Sequence, residues 1–209
     1  MNIALINASP KRSESASGAL LSDLKGLFTA EQTVKNFTMN RPTVTPEEIK
    51  ELSGCETWII FFPLYVDGIP SHLVSCLCQM EQIGIQNQNI CLYGICNSGF
   101  YEGKQNCNAL AILRNWCDKM GLTWGMGIGL GGGPAISAMK GVPLGKGPKA
   151  SLGRAFRTLA DAASAHATAE NLYISVNLPR FLYRAMAEMS WRREIKASGG
   201  KRRDLERRL

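Results

Sequence analysis

Histidine is nearly missing: the 209 residues hold two, His72 and His166. Both fall on helical patterns with no second candidate ligand nearby. With so few, a histidine-ligated metal site or a Ser-His-Asp triad is not expected. The seven cysteines, Cys55, Cys76, Cys78, Cys91, Cys96, Cys107 and Cys117, include no CxxC pair. Cys76 and Cys78 would face different ways on a helix. Four of the seven lie in or beside apolar runs, where cysteine behaves as a small hydrophobe. Reduced thiols in a cytoplasmic setting are therefore expected, not a disulfide scaffold or an iron–sulfur centre. Long apolar runs are missing too. The longest, Trp58 to Val66, is about half of the ~20 residues a membrane-spanning helix needs. The first residues carry no basic stretch followed by a long apolar one, so no export signal is expected. GxxxxGK[ST] does not occur, which excludes a P-loop. There is no internal repeat.

What is present is ordinary globular composition, 45% hydrophobic and 20% charged. The length suits one sizeable core. The net charge of +7 would suggest a polyanionic partner, but it is unevenly spread. Residues 179–209 hold ten Lys/Arg against four Asp/Glu, a net of +6, while residues 1–178 hold fourteen against thirteen. A polyanion argument thus concerns the last segment alone.

Apolar runs at Ile3–Ile6, Trp58–Phe62, Ile90–Cys96 and Leu122–Leu130 read as strands buried on both faces, with Thr33–Met39 as a weaker strand near an edge. Between them lie helical patterns, first Leu20 to Phe28 behind a Ser17 cap and Pro46–Leu52. Pro70–Ile83 and 106–120 follow, and a last helix is expected from Ser151 to about Ala169. Residues 134–147 read as an irregular loop. Alternating strands and helices predict a doubly wound α/β domain with five parallel strands. Ligands bind such sheets beyond the carboxyl ends of the strands.

Those ends hold the unusual residues. The first loop, Asn7 to Ser17, carries Ser9, Lys11, Arg12, Ser15 and Ser17 into a helix start, where free N–H groups suit a phosphate. A solvated, serine-capped turn would look the same. The second loop, Pro63-Leu-Tyr-Val-Asp-Gly-Ile-Pro70, is apolar, turns at Asp67-Gly68, and could wall a planar ligand or simply pack on the next helix. The third, Asn97-Ser-Gly-Phe-Tyr-Glu-Gly103, combines amides that can read a polar edge with glycines that permit close approach. The fourth strand end holds Gly125-Met-Gly-Ile-Gly-Leu-Gly-Gly-Gly133. Its GxGxxG match is rejected, because no clear helix follows and no acid lies about 20 residues on. Gly125, Gly127, Gly129 and Gly131 would share one strand face, mainly for helix packing, and Gly131–Gly133 could border a ligand.

Ser9-Pro-Lys with Ser15 and Ser17, Pro63-Leu-Tyr-Val-Asp-Gly-Ile-Pro-Ser71, and Gly99-Phe-Tyr-Glu-Gly103, in that order at three strand ends, resemble the flavodoxin-like NAD(P)H-dependent FMN reductases. Quinone, azo and nitro reductases belong to that superfamily. The likeness is greatest to a clostridial-type branch whose chains continue past the core. It covers about residues 1–135. It implies a sheet order of 2-1-3-4-5, with FMN and NAD(P)H as cofactors. It places Ser9, Lys11, Ser15, Ala16 and Ser17 at the FMN phosphate. Pro63, Leu64, Tyr65, Val66 and Asp67 fall beside the ribityl chain and ring, and Asn97, Ser98, Gly99, Phe100 and Tyr101 at the pyrimidine edge. Ala8 stands where the family often has glycine. No acid–base catalyst is implied, so none is assigned.

The expected organisation is an FMN-binding domain over 1–170 and a basic amphipathic helical extension over 171–209. Phe181, Leu182, Ala185, Met186 and Met189 form its apolar stripe. Arg180, Arg184, Glu188, Arg192 and Lys196 form a charged row stopped by Gly199-Gly200. Docking on the core or a partner subunit is the reading taken, ahead of a membrane-surface helix or nucleic-acid binding. The function expected is a cytoplasmic, homodimeric NAD(P)H oxidoreductase passing electrons to a small acceptor. A flavodoxin-like one-electron carrier is the alternative, and a non-enzymatic binder of another phosphorylated ligand the third class. The near-neutral body favours the enzyme over a carrier, since carrier flavodoxins are acidic.

Overall fold

A computed structural model describes residues 1–139, 141–201 and 203–204. The chain divides into two units, Met1–Asn177 and Leu178–Leu209.

The first unit is built on six parallel strands: β1 (Asn2–Asn7), β2 (Thr33–Thr38), β3 (Thr57–Pro63), β4 (Cys91–Ser98), β5 (Thr123–Gly131) and β6 (Leu172–Ile174). Their order is β2-β1-β3-β4-β5-β6, all neighbours parallel. The expected order therefore stands for the first five strands, and the strand number is corrected to six. β6 pairs only through Ile128↔Leu172, Gly129↔Tyr173 and Leu130↔Ile174. Three half-buried residues leave no readable period, which is why sequence reasoning missed it.

Helices cover both faces, as a parallel sheet requires. On one face α2 (Pro46–Ser53), α3 (Ser71–Ile83) and α4 (Cys107–Lys119) bury Ile49, Leu52, Leu73, Leu77, Leu110, Leu113 and Trp116 against Ala4, Ile6, Ile60, Phe62 and Leu92. The alternate strand residues, such as Ile3, Leu5, Ile59, Phe61 and Ile128, are also fully buried. They serve the other face, where α1 (Ala16–Lys25), α5 (Gly133–Ala138) and α6 (Ala150–Ser164) pack.

Three local expectations are corrected. Residues 134–147 are not wholly irregular, because the six-residue α5 begins at Gly133 with Pro134 in its first turn. The four glycines of β5 do not share a face. The β4–β5 register shifts between Leu92 and Tyr93, and a Cβ on Gly125 would strike the Tyr93 ring, whereas one on Gly127 would meet Leu110. Gly125 is the extra residue of a bulge, and a bulge reverses side-chain direction. Finally α6 stops at Ser164. His166 takes the left-handed conformation (φ 53°), and the His166 and Ala167 N–H groups donate to the Ala163 and Ala162 carbonyls. That is a Schellman stop with histidine in glycine's usual place.

The second unit is α7 (Arg180–Ala197), following Pro179. Glu188 accepts from both Arg184 and Arg192, at 3.3 and 3.1 Å. Gly199 (φ 78°) closes the helix, with the Gly200 N–H donating to the Ile195 carbonyl. Residues 202 and 205–209 of the basic end lie outside the described residues. Among the described residues no helix is long and apolar enough to cross a membrane.

Candidate functional site

The chain leaves β1 for β2 on one side and returns to β3 on the other, so the loops after β1 and β3 diverge to opposite faces of the sheet. That divergence opens a crevice, the usual ligand position in open α/β sheets. A cleft of ≈ 180 Å³ lies there. Ser9, Lys11, Ala16 and Ser17 line it from the first loop and helix start, Pro63, Leu64 and Tyr65 from the second loop, and Asn97, Ser98 and Gly99 from the third. Pro134 of α5 completes it.

Backbone bonds brace this rim. The Ala8 N–H donates to the Phe61 carbonyl at 2.8 Å and the Leu64 N–H to the Asn97 carbonyl at 2.8 Å. The Gly132 N–H donates to the Phe100 carbonyl at 2.7 Å. His72 Nε2 contacts the Ala8 carbonyl at 3.2 Å, so this histidine holds the first loop to α3. Asn106, fully buried, donates through Nδ2 to the Gly103 and Leu130 carbonyls at 2.9 and 3.3 Å. Burial pushes the Cys96 thiol far up, so it stays protonated and donates to Asn106 Oδ1 at 3.3 Å. The third loop is thereby anchored from beneath.

The polar side chains divide into spent and unspent groups. Ser15 is the N-cap of α1: its Oγ accepts from the Gly18 N–H at 3.0 Å. It faces a neighbouring hollow of ≈ 470 Å³ with Arg12, Ser13 and Ser137, not the cleft itself. Ser9 Oγ accepts from the Lys11 N–H at 3.3 Å, which shapes the loop. The Ala16 and Ser17 N–H groups have no acceptor among the described residues, as expected of a first helical turn. Ser98 Oγ is buried without any hydrogen-bond partner, with 5% of the residue exposed, and Ser98 lines the cleft. An orphaned hydroxyl there costs ~1–3 kcal/mol unless something fills its bond.

Of the fifteen site residues expected from sequence, ten line the cleft. Ser15, Val66, Asp67, Phe100 and Tyr101 do not. Phe100 is exposed and Tyr101 half-buried beside the cleft loops, with the Tyr101 carbonyl packed on Gly131. Val66 and Asp67 form the tip of a tight turn closed by reciprocal Tyr65–Gly68 backbone bonds of 3.1 and 2.9 Å. Sequence put that turn at Asp67-Gly68. The positive φ values instead fall on Val66 (47°) and Asp67 (57°), one residue earlier. Gly133 and Pro134 are the residues under-read in the sequence. A Cβ on Gly133 would lie 2.9 Å from Asn97 Oδ1, so the glycine run keeps α5 against the third loop.

Val66 is the odd member. A β-branched residue in the left-handed region is an outlier, and this one is fully exposed, at 103%. No packing offsets the strain. Val66→Gly is therefore expected to raise stability by ~1 kcal/mol in a denaturant titration. A loss of stability would contradict the strained turn.

No protein-family model matches the chain, and no curated protein sequence matches it. Solved structures do. A flavodoxin from Pseudomonas aeruginosa superposes with a TM-score of 0.55 at 12% identity, covering 78% of this chain and 99% of that one. The fold is the flavodoxin fold. An FMN-dependent NADH-azoreductase from Bacillus anthracis, in complex with FMN, is similar at TM-score 0.52 and 18% identity, covering 80% of this chain and 100% of that one. An NAD(P)H:quinone oxidoreductase from Methanothermobacter marburgensis gives 0.53 and 16%, covering 76% and 96%. Within the flavodoxin fold, β6 extends the sheet by one strand beyond β5.

Proposed function

We propose that the chain is an FMN-dependent NAD(P)H oxidoreductase that passes electrons to a small acceptor such as a quinone, an azo or nitro compound, or free flavin. The observation that carries this reading is the set of unspent donors at the switch-point cleft. They are the Ala16 and Ser17 N–H groups, the Ser98 hydroxyl and the Lys11 ammonium, in a cleft that the exposed Tyr65 also lines. Such a set suits a phosphorylated, planar ligand with a polar edge. The similar azoreductase and quinone oxidoreductase structures support it.

Ser9, Lys11, Ala16 and Ser17 would hold the phosphate, with Ser15 shaping the loop as a cap. Pro63, Leu64 and Tyr65 would flank the ribityl chain and ring, with Val66 and Asp67 turning that loop. Ser98 and Gly99 would meet the pyrimidine edge, and Phe100 and Tyr101 would cover it. FMN, when bound, would supply the hydride-transfer chemistry between a nicotinamide and the acceptor. The protein's part is to hold donor and acceptor at near-attack distance on one ring face. No side-chain acid or base is required, in keeping with two histidines that both bond backbone carbonyls. We place the enzyme in the cytoplasm as a homodimer, with residues 171–209 docking on the core or on the partner subunit.

The test is anaerobic mixing of FMN-loaded protein with NADH or NADPH, then with quinone, azo and nitro acceptors. Bleaching of the flavin band, then its return on adding acceptor, is expected. Binding of FMN without bleaching would leave a carrier instead, and no FMN uptake would sink both.

A further inference from the structure

The buried Asn97 side chain settles where its own protons go, and with them the proton of Ser17. Asn97 Nδ2 lies 3.1 Å from the Phe62 carbonyl and 2.9 Å from Ser17 Oγ. A carbonyl oxygen only accepts, so the group facing it must be the NH₂, and the orientation of the amide follows from chemistry. One N–H goes to Phe62 and the other to Ser17. Ser17 Oγ is thus an acceptor toward Asn97. Its own O–H has no acceptor among the described residues, although Ser17 is buried and lines the cleft.

We propose that Asn97 is a positioning residue and not a ligand contact: it aims the Ser17 hydroxyl proton at an anion in the cleft, beside the free Ala16 and Ser17 N–H groups. This rests on the flavin reading and deepens it, since the anion is then the FMN phosphate. The helix start does not stand alone as evidence, because the unpartnered Ser98 hydroxyl independently marks the same cleft as a ligand site. The resemblance placed Asn97 at the ring's polar edge. The structure spends both of its N–H groups inside the protein, on the end of β3 and the first turn of α1. Gly133 completes the arrangement, because a side chain there would push Asn97 out of place.

A residue that acts through Ser17 on a phosphate affects FMN and leaves riboflavin alone. That difference is the readout. Apo-protein is titrated with FMN and with riboflavin by flavin fluorescence, for wild type, Asn97→Ala, Ser17→Ala and the double variant. Wild type should prefer FMN by about 10-fold or more. Both single variants should lose about 10-fold in FMN affinity while keeping riboflavin affinity, and the double variant should be no worse than Ser17→Ala. Retained riboflavin binding also reports that the variants fold. Should Asn97→Ala not fold, Asn97→Ser, whose hydroxyl is too short to reach Ser17, takes its place. Parallel loss of FMN and riboflavin in the Asn97 variant would make it a ring contact or a structural residue, and overturn the proposal. So would an unchanged FMN preference in either single variant. Wild type binding neither flavin would instead defeat the flavin reading, before any variant is compared.

Discussion

Gly103→Ala should be among the most damaging single-methyl changes in the sheet unit, with a loss of ~3 kcal/mol and a fall in Tm of roughly 6–12 °C. Gly103 opens a short 3₁₀ turn, Gly103–Asn106, that sits directly on β5 and β6. A Cβ there would overlap the Ile174 carbonyl and the Gly129 carbonyl, and lie 2.6 Å from the Ile174 nitrogen. All three are backbone atoms of paired strands, so no side-chain rotation relieves the clash. The turn would have to lift. Lifting it breaks the Asn106 bonds to Gly103 and Leu130 and separates the Lys104 ammonium from the Tyr173 ring, now 4.4 Å apart. The third cleft loop would lose its anchor, so on the proposed flavin reading FMN affinity should fall as well. Gly99→Ala is the control. Its Cβ would meet nothing within 4 Å, and its φ is not left-handed, so it should leave Tm within about 2 °C. Thermal melts of the two variants check the pair. Equal melts would mean the turn does not rest on the strands as closely as described.

Which parts of this architecture were readable in sequence follows from what each part depends on. β1, β3 and β4 are continuous apolar runs because both sheet faces are covered, and such runs survive in a single sequence. The helix stop at Gly199 was readable because left-handed positions favour glycine. The stop at His166 was not, since nothing local marks that histidine. β6 depends on pairing with Ile128–Leu130 rather than on its own three residues, and the Gly125 bulge depends on the bulk of Tyr93 one strand away. At the site, the three loops were legible through serine, glycine and aromatic content. The division of labour within them was not. Ser15 as a cap, Asn97 as a tie between strand and helix, and Ser98 as an unspent hydroxyl are all properties of neighbours distant in sequence.

The other large effect concerns how α1, whose first turn faces the cleft, is held at its far half. Lys149 is buried at the entrance to α6, its side chain 5% exposed, and its ammonium lies 3.0 Å from Asp23 of α1, itself 28% exposed. Breaking a buried pair by deleting one partner costs more than deleting the charge that needs burial. Asp23→Ala leaves the Lys149 ammonium buried without its carboxylate, and should cost ~2–4 kcal/mol. Lys149→Met keeps the volume and removes that charge. Asp23 then turns its carboxylate to the water it already partly touches, so the loss should stay below ~1 kcal/mol. The prediction is thus an asymmetry across one ion pair, read as the difference in denaturant midpoint between the two variants. Equal losses would mean that the pair acts through packing alone. On the proposed flavin reading, FMN binding should follow the same order. With Asp23 gone, α1 loses this tie in its C-terminal half. Its first turn, which carries the Ala16 and Ser17 donors, then relies on Asn97 and on its apolar packing.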